Sequence, residues 1–229
     1  MVTEILVISF IALIVLYAYN KKKIDLSALI LTTIVGLSCF FLGDVRWIIV
    51  LLLFFVFGNV VSHYKKEYKG VLGCEQSIRT WKNVFGNGGA TLVYAVLNWI
   101  APNPLWFLAM YCAMACATAD TFATELGQVF SKNPRIIHTL KKVRPGETGA
   151  VSKEGFMASV FGAFIISLPL LIWNHSTGIF LLVIVCGFIG CVIDSFMGAI
   201  LEKRKIVDTH QINFLATLLS GILCLIILI

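Results

Sequence analysis

The sequence predicts an all-α polytopic membrane protein of about eight transmembrane helices, a single integral membrane domain over residues 1–229. Three features lead there. Hydrophobic residues make up 59% of the chain against 13% charged, and they come as long blocks, which a soluble core does not need. Basic residues segregate to alternate connections between those blocks. Two acids, Asp120 and Asp194, sit at matched positions inside apolar runs, each 16 residues past the run's start at Pro104 and Gly178.

The expected spans are 3–19, 26–42, 47–63, 84–100, 104–130, 155–173, 178–201 and 212–229. The first is too long for a cleaved signal peptide and lacks a basic start and a small-residue cleavage site. The second and fourth lie near the lower length limit for crossing a bilayer. The fifth and seventh are long enough to project beyond the lipid at one end. With eight spans, the first, third, fifth and seventh connections hold 17 of the 18 Lys and Arg residues, and the others hold Arg46 alone. The positive-inside rule makes the basic side cytoplasmic and puts both termini on the non-cytoplasmic side. The expected location is therefore the membrane of a prokaryotic cell, crossed several times, with the active face cytoplasmic.

The net charge of +6 is then topology signal plus attraction to anionic headgroups, so no nucleic-acid partner is expected. Six of the seven cysteines fall inside apolar runs without paired metal spacing, so neither zinc nor disulfides are expected. The outer loops 43–46, 101–103 and 174–177 are minimal. Residues 64–83 are basic and aromatic, as suits an amphipathic segment along the interface. Residues 131–154, with Pro134, Pro145, Gly146 and Gly149, read as a structured loop or re-entrant turn.

Helical rise places Asp120 and Asp194 roughly 24 Å along their spans at ~1.5 Å per residue, at one level near the basic side. An acid at the centre of a membrane helix costs about 2.5–3.5 kcal/mol on insertion scales, less towards the interface. At ~100° per residue, Thr121, Thr124, Glu125 and Gln128 share a sector of about 140° with Asp120, and Phe122 points away. Small residues surround Asp194 in the same manner: Gly187, Gly190, Cys191, Ser195 and Gly198, with Glu202 beyond. No Lys or Arg lies in these spans to act as counter-ion, and a divalent cation would supply one. Asp120, Asp194, Thr121 and Glu125 are the candidate metal ligands, and Mg²⁺ is the candidate ion. Packed helices whose acids bind hydroxyls are the plainer alternative.

Two helix starts face the same side. Residues 79–89 carry Arg79, Lys82, Asn83, Asn87, Gly88 and Gly89 into the fourth span, where free N–H groups and glycines suit phosphate oxygens. Glycines also serve helix packing there. Residues 143–155 carry Arg144, Gly146, Thr148, Gly149, Ser152 and Lys153 into the sixth span. This stretch lacks the Gly-Lys-Ser/Thr ending of a Walker A loop, yet its donors, hydroxyl and Lys153 could surround an anion. Ser152 could equally be an ordinary helix cap. Asn213 is a further polar group on this face, either a ligand or a packing amide. Paired acids, helix starts and cations on one face suit phosphoryl or nucleotidyl transfer. A phosphate monoester acceptor needs no general base, which accords with the scattered His63, His138, His175 and His210.

At these residues the chain resembles the phytyl-phosphate kinase family of membrane proteins. The similar blocks are residues 79–89, ATADTFATELG (117–127), RPGETGAVSKEG (144–155), GFIGCVIDSFMGAILE (187–202) and Asn213, all in the chain's second half. Glu147, Lys153 and Glu154 depart from the more neutral pattern expected of the third block, and no plastid-type leader precedes the first span. The resemblance implies Mg²⁺-dependent phosphorylation of a prenyl monophosphate to the diphosphate by CTP, UTP or ATP. It assigns Asp120, Asp194, Lys153 and Arg79 to catalysis and the helix-start residues to substrate and nucleotide phosphates. Partners would be a lipid-like prenyl phosphate and a nucleoside triphosphate in the membrane, with a homodimer left open. A polyprenol kinase, a lipid cytidylyltransferase-like enzyme and an ion-coupled transporter are the alternatives.

Overall fold

Side-chain caps set most of the helix boundaries. Asp25, Asp44, Asn103, Ser152, Ser176 and Asp208 each accept a backbone N–H at the start of a helix, worth ~1 kcal/mol apiece. The computed structural model describes residues 2–74, 78–173 and 176–229. It contains α1 (Val2–Asn20), α2 (Leu26–Leu42), α3 (Val45–His63), the short α4 (Lys66–Val71), α5 (Trp81–Ile100) and α6 (Pro104–Phe130). A two-residue ribbon, β1 (Arg135–Ile136) with antiparallel β2 (Ala150–Val151), leads into α7 (Lys153–Ser167). There follow α8 (Pro169–Ile172), α9 (Thr177–Met197), which runs on into a π-helical turn (Gly198–Glu202), and α10 (Thr209–Leu228).

Every expected span is thus helical, although not all qualify equally as membrane crossings. Val45–His63, Pro104–Phe130, Lys153–Ile172, Thr177–Glu202 and Thr209–Leu228 are long and apolar enough to cross a membrane. The apolar stretches Glu4–Asn20 and Leu26–Leu42 are shorter, and the more polar α5 is not among the five. The sixth expected span is interrupted: Pro169 has no N–H to donate, so α7 stops at Ser167 and the chain restarts in α8. The fourth begins three residues early, because Thr80 and Asn83 form a capping box. Asn174 and His175 of the expected outer loop, and residues 75–77 of the interfacial segment, lie outside the described residues.

α6 is the axis of the bundle. Of its apolar window 78% is buried, against 28–44% in the other four crossing helices. It packs on α3, α5, α7, α9 and α10. Polar groups that helices carry inward are spent on tying them together. Tyr111 Oη donates to Ile166 O at 2.6 Å, Tyr94 Oη to Leu218 O at 2.6 Å, and Ser220 Oγ lies 2.9 Å from both Cys112 O and Cys186 O.

The α6–α9 contact positions the site. A Cβ on Gly187 would stand 2.9 Å from the Ala115 carbonyl carbon, and one on Gly190 would stand 2.6 Å from Cys116 Sγ. The two helices therefore meet backbone to side chain at Cys116 and Gly190. One turn further along each lie Asp120 and Asp194, which that register brings level.

Two faces follow from contacts between loops. Ile24 bridges Arg79, Lys82 lies 3.6 Å from Asp208, and Lys203 pairs with Glu147 at 3.0 Å, so the basic connections share one face, termed here the loop face. At the opposite face Asn98 Nδ2 donates to Leu42 O at 2.8 Å. Gly190→Val should overpack the α6–α9 contact and cost about 1–3 kcal/mol. The check is a lower thermal midpoint of the detergent-solubilised protein, with Gly178→Ala as control, since its Cβ meets nothing nearer than Ser176 Oγ at 3.6 Å.

Candidate active site

A cavity of about 770 Å³ opens among α1, α2, α3, α5, α6, α9 and α10. Its two ends differ in chemistry. Towards the loop face it is walled by polar groups, including Asp120, Asp194, Glu202, Gln128 and Asn87. Towards the opposite face it is an apolar tunnel lined by α1, α2 and α3. Its last lining residues in that direction are Ile11 on α1, Gly36 on α2 and Ile48 on α3. Along α3 it runs from Ile48 to Gly58, about 15 Å at ~1.5 Å per residue.

Asp120 and Asp194 face this cavity from adjacent helices, and Asp194 also lies within electrostatic reach of Glu202. Cys191 Sγ stands 4.0 Å from Asp120 Oδ1. With its amide nitrogen turned inward, Asn213 donates to Asp194 Oδ2 at 3.2 Å and to Thr209 O at 2.8 Å. Neither Asp120 nor Asp194 has an ion-pair partner among the described residues. Among those residues no three His, Cys, Asp or Glu side chains form a metal set of their own. Two cavity-facing carboxylates without a cation still fit Mg²⁺, which commonly takes one or two carboxylates and completes its shell with phosphate oxygens and water. Gln128 Oε1 and Ser131 Oγ, both on the cavity wall, are buried without a hydrogen-bond partner, as befits a chamber that receives a polar guest.

Glu125 is engaged differently from the sequence expectation. Lys69, 2% exposed, reaches in from α4 and pairs with Glu125 Oε2, while donating to Ser62 O at 2.7 Å and Val61 O at 3.2 Å. Ser62 Oγ donates to Glu125 Oε1 at 3.0 Å and accepts from Arg79 Nη2 at 3.3 Å. A lysine from the connection between α3 and α5 thus meets the carboxyl that was a candidate metal ligand. Nothing in the sequence separates Lys69 from Lys65 and Lys66 beside it. Thr121, the other candidate ligand, lines the cavity and donates to Ala117 O at 2.8 Å, which leaves its oxygen free to accept.

Arg79 is held at the cavity edge by its backbone: its N–H donates to Lys23 O at 3.1 Å and its carbonyl accepts from Asp25 N at 3.0 Å. Burial pulls the Arg79 guanidinium below its usual range, and the nearby Glu125 charge opposes that. The group stays cationic, because arginine starts so far above neutrality.

The two helix starts divide between site and scaffold. Asn87 and Gly88 line the cavity, as does Asn83, whose Oδ1 is occupied by Thr80 N at 2.8 Å in the capping box. Gly89 does not: a Cβ there would meet Phe214 Cδ2 at 2.9 Å, so it serves α5–α10 packing. Lys82 is exposed and turned to Asp208. In the second stretch Gly146, Thr148, Gly149 and Ser152 line the cavity. Gly149, at φ +73°, turns the loop onto the π-helical turn after Asp194, where a Cβ on Gly198 would come 3.7 Å from Gly149 N. Ser152 acts as the cap of α7, accepting from Gly155 N at 3.0 Å. Lys153 is exposed off the cavity, and Arg144 lines a separate open hollow of about 610 Å³ with Lys141, Lys142 and Lys203. Glu147 belongs to the walls of both.

Lys69→Met should remove the buried cation bonded to Glu125 and cost about 3–5 kcal/mol, whereas Lys69→Met with Glu125→Leu should recover most of that loss. Thermal denaturation of the single and double variants measures it.

The family model described as integral membrane protein DUF92 matches residues 9–221. An uncharacterized membrane protein of Methanocaldococcus jannaschii is 32% identical over 96% of this chain and 91% of its own length. Protein PGR of Arabidopsis thaliana is 27% identical over 93% of this chain and 91% of its own. Protein VTE6, chloroplastic, from the same plant, is 26% identical over 57% of this chain and 44% of its own. No solved structure matches. The resemblance carried by the motifs of the second half is borne out at the level of family. The chain belongs to the DUF92 family of integral membrane proteins.

Proposed function

We propose that this protein is a membrane-embedded, Mg²⁺-dependent kinase that transfers a phosphoryl group from a nucleoside triphosphate to a prenyl monophosphate, giving the diphosphate. One observation carries the reading: a single cavity joins an apolar part lined by α1, α2 and α3 to a polar part lined by Asp120 and Asp194. Such a space matches an amphiphile whose tail is apolar and whose head is an anion. Relatedness to Protein VTE6 and the motif resemblance to phytyl-phosphate kinases point the same way.

In this reading the loop face is cytoplasmic, consistent with the side on which 17 of 18 basic residues fall, and all eight long helices cross the membrane. Asp120 and Asp194 would hold Mg²⁺, which when bound offsets the negative charge of the nucleotide phosphates. Arg79 lies at the cavity edge, where a prenyl phosphate would present its head. Asn87 and the backbone near Thr148 and Gly149 offer hydrogen bonds to phosphate oxygens. The hollow with Arg144, Lys141, Lys142 and Lys203 offers the nucleotide a cationic approach. One acceptor phosphate oxygen attacks the γ-phosphorus, and the bond to the nucleoside diphosphate breaks. The acceptor is already largely ionised near neutral pH, so the residues need only position it and balance its charge.

The test supplies purified protein with a panel of prenyl alcohols and monophosphates, each with labelled CTP, UTP or ATP. A prenyl diphosphate and a nucleoside diphosphate should accumulate, whereas release of pyrophosphate would indicate a nucleotidyltransferase. Asp120→Asn and Asp194→Asn should each lower Mg²⁺-dependent turnover by about 10²-fold or more while the protein remains extractable. Full activity in both would overturn the metal assignment.

A further inference from the structure

Ile11 on α1, Gly36 on α2 and Ile48 on α3 are the lining residues farthest from the loop face on their helices. Ile11 and Ile48 are 6% and 4% exposed, and Gly36 is buried. A Cβ on Gly36 would lie 3.5 Å from Ile11 Cγ2 and 3.7 Å from Ile11 Cδ1, ordinary contact distances. There is room for a methyl group at Gly36, while a longer side chain would project into the tunnel. Beyond this level Trp47 and Phe107 pack at 6.0 Å, and Phe107 packs on Trp173 at 6.0 Å and on Tyr111 at 5.6 Å. That aromatic group adjoins Ile48 through Trp47, its neighbour in α3.

We infer that the Ile11–Gly36–Ile48 floor sets the length of prenyl chain the protein accepts, with Gly36 as the specificity-determining position. The inference rests on the proposed kinase reading for the identity of the head group, and on tunnel geometry for the tail. A tail shorter than the tunnel leaves apolar wall uncovered, and a tail that is longer must fold back or leave part of itself outside. Both lose burial, which is the main favourable term for an apolar chain in such a channel.

Binding of geranyl, farnesyl and geranylgeranyl monophosphate to the detergent-solubilised protein, without nucleotide, reads the tail alone, and turnover with nucleotide reads the head. Gly36→Leu adds bulk beside Ile11, so its thermal midpoint is compared with that of Gly36→Ala before binding is read. It should weaken geranylgeranyl relative to geranyl monophosphate by tenfold or more. Ile48→Ala should shift the ratio the other way, and Gly36→Ala should leave it within a few-fold. Equal shifts for all three chains, or none, would overturn the floor while leaving kinase activity intact. Length-dependent shifts in binding without any nucleotide turnover would support the floor and overturn the kinase reading. No binding of any chain by the unmodified protein would overturn both.

Discussion

Close approach of α9 to α6 depends on glycine at positions 187 and 190, where any side chain would collide with Ala115 or Cys116. Two large helices cannot normally bring acids on their facing sides so near a common cavity, because side chains keep backbones 8–10 Å apart. Here the missing Cβ atoms remove that spacing, and the parallel register aligns Asp120 with Asp194. Ser220 then locks the same contact by accepting a place between two carbonyls, one from each helix. The π-helical turn after α9 ends the shared register and turns Glu202 and the loop glycines towards the acids. Such insertions are common at functional positions.

Electrostatics then sorts the acids into two kinds. Glu125 is neutralised by a buried lysine, and the hydroxyl of Ser62 links it to Arg79. That network ties α3, α4, α6 and the start of α5 together at the loop face. Asp120 and Asp194 have no such cation among the described residues. In the proposed reading a bound Mg²⁺ would supply that positive charge. The same sorting restrains Arg79, whose backbone is stitched to the α1–α2 turn before its side chain reaches the network.

The cavity's split character follows from which helices form it. α1, α2 and α3 contribute Ile, Leu, Val and Phe to its deep part, while α5, α6, α9 and the loop between α6 and α7 contribute amides, hydroxyls and carboxyls near the face. An amphiphile with a charged head fits both parts at once.

Much of this was legible in the sequence. Long apolar blocks and the one-sided distribution of Lys and Arg located every long helix, and cap residues such as Asn103 and Asp208 sit where helices begin. The equal spacing of Asp120 and Asp194 already pointed to one depth, since helical rise is constant. Residue types could not say which glycines line a cavity: Gly88 does and Gly89, beside it, packs on Phe214. Nor could they single out Lys69 from Lys65 and Lys66, or remove Lys153 and Arg144 from the cavity wall. Hydropathy, charge placement and helical period are local properties, so the sequence alone determined the long helices, the capped ends and the matched acids. Partners for buried charges and the shape of the tunnel depend on contacts between residues far apart in the chain, and only the tertiary structure decided those.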